Sequence, residues 1–415
     1  MNEPRFHGYR IVAACFVIQG VMIGGMFAYG VFFGELERTF GWSRATISGA
    51  SSLAFVVMGV LAIAAGQLND RIGPRALIAA SGLFFAAGYA LLSRLEAPWE
   101  LFVFYGVLAG IGYSTHDVVT LSTITRWFVR RRGIMTGIAK VGTGTGQVLI
   151  PLAAAFLIAS FGWRSAALVM GIVAGIVLVA AAQVMRRDPH ALGQHPDGIA
   201  LAADGGRHGP LDAGMTLAQA AATPQFWILC ASQLSVMFCL LTVMIHIVPH
   251  ATDLGVAPKI AATILSCIGA ASIAGRLTIG TLVDRLGGKR ALMICFVVLL
   301  ASLVLLQSGG ATWMLFLFAA VYGFAHGGFF TVMSPTLAEF FGTASHGVIF
   351  GIVLFSGTIG GAIGPLIAGG LFDGTGAYDV AFMILTAFGV LGLVLVSMLK
   401  PMTRPMVRAP QRQPS

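Results

Sequence analysis

Apolar residues run on for twenty or more positions along most of this chain, and polar residues gather in short clusters between the runs. Runs of roughly 20 apolar residues are long enough to cross the hydrocarbon core of a bilayer as helices. The pattern predicts an all-α membrane protein with twelve transmembrane helices. They lie near residues 9–34, 45–68, 76–94, 100–127, 134–160, 164–185, 225–250, 258–282, 290–308, 311–337, 345–371 and 378–399. One long polar interruption, 186–225, follows the sixth run, and its Pro, Gly, Asp and His content predicts a linker. The predicted organisation is an N-terminal six-helix bundle (1–187), a cytoplasmic linker (188–224), a C-terminal six-helix bundle (225–400) and a cytoplasmic tail (401–415).

Composition agrees with lipid as the bulk solvent. Of 415 residues, 57% are hydrophobic and only 10% charged, against about 25% charged in soluble domains. The net charge of +9 could suggest nucleic acid or anionic lipid. Its distribution points instead to topology, because Lys and Arg collect in cytoplasmic loops. With the N-terminus inside, eighteen of the 25 Lys and Arg fall in cytoplasmic segments and five in the opposite loops. The remaining two, Lys140 and Arg276, lie within spans. Both termini are therefore expected to be cytoplasmic, with the lipid bilayer as partner and no nucleic acid. The polar start "MNEPRFHGYR" predicts no separate signal peptide. Five cysteines lie in apolar stretches without metal-ligand spacing, so small buried hydrophobes are expected and no metal or cofactor.

The two groups of six are repeats. Asp70 and Asp284 are 214 positions apart, and the same offset relates Gln19 to Gln233, Gly66 to Gly280, Gly73 to Gly287, Gly133 to Gly347 and Pro151 to Pro365. Six helices, an inside linker and six more make a parallel repeat about an axis along the membrane normal, as in two-bundle secondary transporters.

The repeated loop carries chemistry. "GQLNDRIGPR" (66–75) and "GTLVDRLGGKR" (280–290) place two glycines, an acid and bases between apolar runs. Glycine permits a tight turn and close helix approach. Asp70 can sit at a neighbouring helix N-terminus, where the dipole favours an anion. Arg71 and Arg75 can pair with acids or carbonyls of the opposite bundle. Gly66, Asp70, Arg71, Gly73, Arg75, Asp284 and Arg285 are the gating candidates, expected to hold the cytoplasmic face shut.

G-x-L-x-D-R-x-G-x-R resembles the signature loop of the major facilitator superfamily, and "GQLNDRIGPR" fits it at every position. "HGYRIVAACFVIQG", "YGVFFGELERTFGWSRATISGASSL", "RWFVRRRGIMTGIAKVGTGTG" and "AEFFGTASHGVIFGIVLFSGTIGGAIGPLIAGGLFDGTGAYDVAF" resemble the monocarboxylate porter and oxalate:formate antiporter branch. The membrane arginine that drug antiporters carry in helix four is absent, as is the sugar-porter element after helix six. The resemblance implies two pseudo-symmetric bundles, a pathway lined by helices one, four, seven and ten, and a monomer in the cell (inner) membrane.

Three ionisable acids or strong bases fall well within the spans: Asp117, Lys140 and Arg276. An intramembrane charge costs at least a few kcal/mol and needs a partner or a wet cavity. A guanidinium offers a planar fork for two carboxylate oxygens, and the resembled branch holds its substrate carboxylate with an arginine at the position of Arg276. Lys140 and Asp117 sit at similar depth on a helical hairpin. They can pair with each other, or Lys140 can be a second anion contact with Asp117 as proton carrier. Tyr29, Tyr113, Tyr322 and His326 are further substrate-binding candidates, His116 a second proton-coupling candidate, and His246 a further cavity residue.

The reading is a secondary active transporter of a small organic anion, a monocarboxylate moved with a proton by alternating access. Anion exchange of the oxalate:formate type is the alternative. A non-transporting sensor would call for a long cytoplasmic appendage, and an enzyme for a catalytic constellation that the sequence does not offer.

Overall fold

The computed structural model describes residues 6–199, 214–309 and 311–400. The middle of the predicted linker and the predicted tail 401–415 lie outside the described residues. Helix α1 (Gly8–Phe40) ends at Gly41, whose φ of 66° and N–H to the Glu37 carbonyl close a left-handed cap. Ser43 caps α2 (Arg44–Ile72) through the Thr46 N–H. Only Gly73, at φ 84°, separates α2 from α3 (Pro74–Leu92). Its repeat partner Gly287, at φ 85°, separates α10 (Pro258–Leu286) from α11 (Gly288–Gln307). Those backbone angles suit glycine and make both signature loops hairpins with no slack.

The predicted fourth span is broken. It comprises α4 (Pro98–Leu101), a π-helical stretch Phe102–Ala109, α5 (Gly110–Tyr113) and α6 (His116–Trp127). The predicted fifth and sixth spans follow one another without a loop as α7 (Arg132–Val184), two helical arms that meet at Gly162, whose φ of 78° and ψ of 159° are not helical. A bend at that backbone conformation is open to glycine and strained for other residues. The second half continues with α8 (Leu217–Ala221), α9 (Pro224–Asp253), α10, α11, α12 (Thr312–Phe341), α13 (His346–Thr375) and α14 (Asp379–Ser397). Ten helices among the described residues are long and apolar enough to cross a membrane. The described residues form no strand, only an isolated bridge between Gly214 and Gly342.

Side chains sort as lipid solvent requires. Leu149, Leu152, Phe156, Ile172, Ile176 and Leu366 are exposed on long helices, while Trp99, Trp227 and Trp313 are exposed near helix ends, the interfacial placement favoured by indole. Polar side chains cluster inside, among them Gln19, Asp117, Thr120, Lys140, Gln233, Arg276 and His326. All five cysteines are free; Cys267 is partly buried and the other four buried.

Helices α1 and α3 pack on α7, α10 and α11 on α12, and α9 on α13 and α14. Between the two halves of the chain the main contacts are α2 with α13 and α7 with α10. Those pairs exchange under the 214-residue offset, so the two seams are copies of each other.

Candidate functional site

Both signature-loop carboxylates reach across the seams. Asp70 Oδ1 accepts from the Gly347 N–H at 3.0 Å and Oδ2 from the Val348 N–H at 3.1 Å, at the start of α13. Asp284 does the same to the start of α7, accepting from Gly133 at 2.6 Å and Ile134 at 2.9 Å. Each carboxylate meets unpaired first-turn N–H groups and the positive end of a helix dipole. The backbones touch at the same places. A Cβ on Gly66 would overlap the Gly347 carbonyl, and one on Gly133 the Gly280 carbonyl.

The arginines of the loop behave differently from expectation. Arg71 and Arg285 are exposed, with no ion pair or hydrogen bond among the described residues. Arg75 bonds Gln183 of its own half. The cation that serves Asp70 is Arg126 near the end of α6, 2.6 Å from Oδ1, and it also approaches the Thr343 carbonyl at 3.5 Å. The reason is reach: Arg71 and Arg75 leave the turn toward solvent, whereas Arg126 is 4% exposed and points along the seam. His346, the first residue of α13, adds a second buried link, with Nδ1 3.1 Å from Ser122 Oγ and Nε2 3.0 Å from the Ser334 carbonyl.

These bonds tie the two halves together at the seam on the signature-loop side. Asp70→Asn removes the charge that two N–H groups and Arg126 share, and charge-assisted bonds contribute about 1.5–3 kcal/mol each. Labelling of a cysteine at Val348, which is 8% exposed, by an impermeant maleimide is expected to rise roughly tenfold in Asp70→Asn. Unchanged labelling would reduce the loop to a topological stop.

Deeper in, the break between α5 and α6 sets up the charged centre. It puts His116 and Asp117 in the first turn of α6, where the dipole favours an anion. Lys140 Nζ lies 2.7 Å from Asp117 Oδ1. Gln19 Nε2 lies 2.8 Å from the same oxygen and 2.9 Å from Thr120 Oγ1, and Gln19 Oε1 accepts from Thr143 Oγ1 at 2.9 Å. His116 Nδ1 is 2.7 Å from the Tyr113 carbonyl and Nε2 is 3.3 Å from Asp117 Oδ2. Lys140 Nζ also sits over the Phe330 ring, 5.0 Å from its centroid.

Arg276 lies across the α7–α10 seam from this cluster. Its Nη1 approaches α7 where a Cβ on Gly144 would stand 2.6 Å away, so glycine there makes room for the guanidinium. Arg276 is 1% exposed, and its Nε and Nη1 have no hydrogen-bond partner among the described residues. Lys140 has its carboxylate; Arg276 is a buried fork without one. His326 is beside them, its Nδ1 also without a partner and its ring 5.0 Å from Phe330.

The tyrosines are engaged elsewhere. Tyr29 donates to the Ile47 carbonyl at 2.8 Å and stacks on Tyr105 at 3.8 Å. Tyr113 bonds Tyr105, and Tyr322 donates to the Leu240 carbonyl at 2.6 Å. These hydroxyls tie neighbouring helices together. His246 binds Tyr378 and the Pro365 carbonyl, each at 3.1 Å. Sequence reasoning missed Gln19, Arg126 and His346. Gln19 had been noted only as a repeat position, and its buried amide among apolar neighbours was the available signal.

The Major Facilitator Superfamily profile matches residues 15–306 and, in a second match, 229–415. The chain belongs to the major facilitator superfamily. Among its relatives, monocarboxylate transporter 13 of Rattus norvegicus is 27% identical over 395 residues, covering 93% of this chain and 87% of the relative. Monocarboxylate transporter 12 of the same species is 26% identical, covering 91% and 82%. Human monocarboxylate transporter 11 is 26% identical, covering 91% and 79%. The solved proton:xylose symporter XylE superposes with a TM-score of 0.70 at 16% identity, over 94% of this chain and 95% of that one. The human organic anion transporter MFSD10 does so with a TM-score of 0.70 at 15% identity, over 95% and 100%. This major facilitator is thus a multi-pass membrane transport protein, not an enzyme, and it resembles monocarboxylate porters.

Proposed function

We propose that this transporter moves a small organic anion, a monocarboxylate taken up together with a proton, by alternating access. The observation that carries the reading is Arg276, a guanidinium 1% exposed with Nε and Nη1 unpartnered. A buried charge without a partner is strongly unfavourable. A bidentate carboxylate supplies what the fork lacks. The names of the relatives, monocarboxylate transporters, support the same substrate class.

Proton coupling follows from the neighbouring cluster. Protonating Asp117 weakens the hold on Lys140. Lys140 then becomes free to face an anion beside Arg276. The proton and the carboxylate thereby favour each other's binding, which is the requirement for symport. Exchange of anions needs the same site without the proton step.

The architecture belongs to the same reading. The stretch from Pro98 to Trp127 taken as one crossing, and the two arms of α7 counted separately, bring the crossings to twelve. The halves 1–187 and 225–400 rock about the charged centre, the linker 188–224 and both termini lie on the cytoplasmic side, and the protein is a monomer in the cell (inner) membrane. The Lys and Arg distribution supports that orientation.

Uptake of radiolabelled monocarboxylates into proteoliposomes tests the coupling. Acidifying the outside is expected to accelerate uptake. Asp117→Asn is expected to flatten that response while exchange of preloaded substrate persists. A full pH response in Asp117→Asn would place the proton on another group, with His116 and His326 next in line.

A further inference from the structure

The 214-residue repeat extends into the site, and there it is broken in one informative way. In the first half Gln19 is saturated: Nε2 reaches Asp117 and Thr120, and Oε1 accepts from Thr143. The same offset leads from Gln19 to Gln233, from Asp117 to Thr331, from Thr120 to Ser334 and from Thr143 to Gly357. Gly357 keeps the place beside the glutamine, packed closer than Thr143 can be: a Cβ there would stand 2.9 Å from Met237 Cγ, 3.0 Å from Gln233 Cγ and 3.1 Å from its Nε2. The donor is not kept. Thr143 has a hydroxyl to give its glutamine; Gly357 has none.

The consequence is visible in the hydrogen bonding. Gln233 is 4% exposed and its Oε1 has no partner; Ser334 is 1% exposed and its Oγ has none. Gln233 lies nine residues into α9 and Arg276 ten residues before the end of α10, so both are roughly 14–15 Å from the signature-loop side. The first half of the centre is internally satisfied. The second half offers an unpaired cation and, at the same depth, an unpaired acceptor. Buried acceptors are nearly always paired, so an orphan inside a substrate pathway calls for a ligand group.

We infer that Gln233, assisted by Ser334, is a specificity contact that accepts a hydrogen bond from the substrate. The inference rests on the carboxylate site proposed at Arg276. It narrows the substrate class to carboxylates that also carry a donor, a hydroxyl or an N–H, over plain alkyl carboxylates. A site built around a buried acceptor discriminates against an analogue that leaves the acceptor unpaired.

The test compares butanoate with 2-, 3- and 4-hydroxybutanoate on the purified full-length protein, with affinities measured by competition against uptake in proteoliposomes. At least one hydroxy acid is expected to bind about tenfold more tightly than butanoate in the wild type. Gln233→Leu is expected to bring that ratio close to one. Gly357→Ser, with the Met237 side chain giving way, sets a hydroxyl beside the Gln233 amide as Thr143 does for Gln19, and is expected to lower the ratio as well. It stands as the readout if Gln233→Leu does not fold. Arg276→Ala is expected to lose all four acids together. Equal wild-type affinity for all four, or a ratio unmoved in Gly357→Ser, overturns the role of Gln233 and leaves the carboxylate site standing. Failure of the wild type to bind any of the acids overturns both.

Discussion

Arg276→Ala is expected to lose substrate binding by roughly a hundredfold or more. Removing one member of a buried charge pair costs about 3–5 kcal/mol, and every 1.4 kcal/mol is a factor of ten in affinity. Here the substrate carboxylate is the second member. Arg276 is 1% exposed, with the α7 backbone at Gly144 against its Nη1, so water has little room to replace the guanidinium. The unliganded protein is expected to gain stability from the change, because it loses a buried cation whose Nε and Nη1 have no partner. Arg276→Lys keeps the charge but not the fork, and partial recovery is expected. Thermal stability with and without substrate reads both effects in one experiment. A ligand-induced shift in Arg276→Ala equal to that of the wild type would remove the anion from this site.

The second large effect concerns Lys140 and Asp117. Lys140 is 1% exposed and Asp117 is 6% exposed, with 2.7 Å between Nζ and Oδ1. Among the described residues, Lys140→Met leaves Asp117 with Gln19 and His116, and Asp117→Ala leaves Lys140 with the Phe330 face. Each single change is expected to destabilise by about 3–5 kcal/mol. The double change Lys140→Met with Asp117→Asn removes both charges and is expected to recover most of the loss, giving a large coupling in a double-mutant cycle. Its transport is expected to be independent of pH. Additive single effects would mean that the two side chains do not act as a pair.

How much of this was legible in the sequence depends on the physics that each feature expresses. Lipid as solvent writes itself into long apolar runs, so the helices were readable. The bend of α7 at Gly162 falls between the runs read as 134–160 and 164–185. The break at Ser114–Thr115 was not readable, because two small polar residues in an apolar run leave no compositional gap: Ser114 satisfies its hydroxyl on the Ile111 carbonyl one turn back and Thr115 pairs with Ser81 Oγ on α3. Yet that break is what sets Asp117 at a helix start. Asp70 and Asp284 were found by repetition, and the helix N-terminus that the dipole argument offered Asp70 is where its carboxylate lies. That Arg126, and not Arg71 or Arg75, stands against Asp70 was not readable, because sequence gives proximity along the chain, whereas Arg126 approaches from another helix 56 positions away. The tyrosines were readable as polar tips inside the bundle. Which carbonyl each tip would find is a matter of tertiary packing, and a sequence without alignment carries no trace of it. The depth of Arg276 and Lys140 could be counted from the ends of their helices. That one would be paired and the other not could not.

The central claim is that this protein recognises a carboxylate through Arg276 and carries it across the membrane. Counterflow in proteoliposomes tests it most directly, with wild-type protein loaded with an unlabelled short-chain acid and offered either the labelled acid or its labelled carboxamide outside. The two differ in charge and hardly in shape. The account predicts counterflow of the acid, none above background of the carboxamide, and loss of the acid signal in Arg276→Ala. Equal counterflow of acid and carboxamide through the wild-type protein, or acid counterflow at full rate through Arg276→Ala, would contradict it.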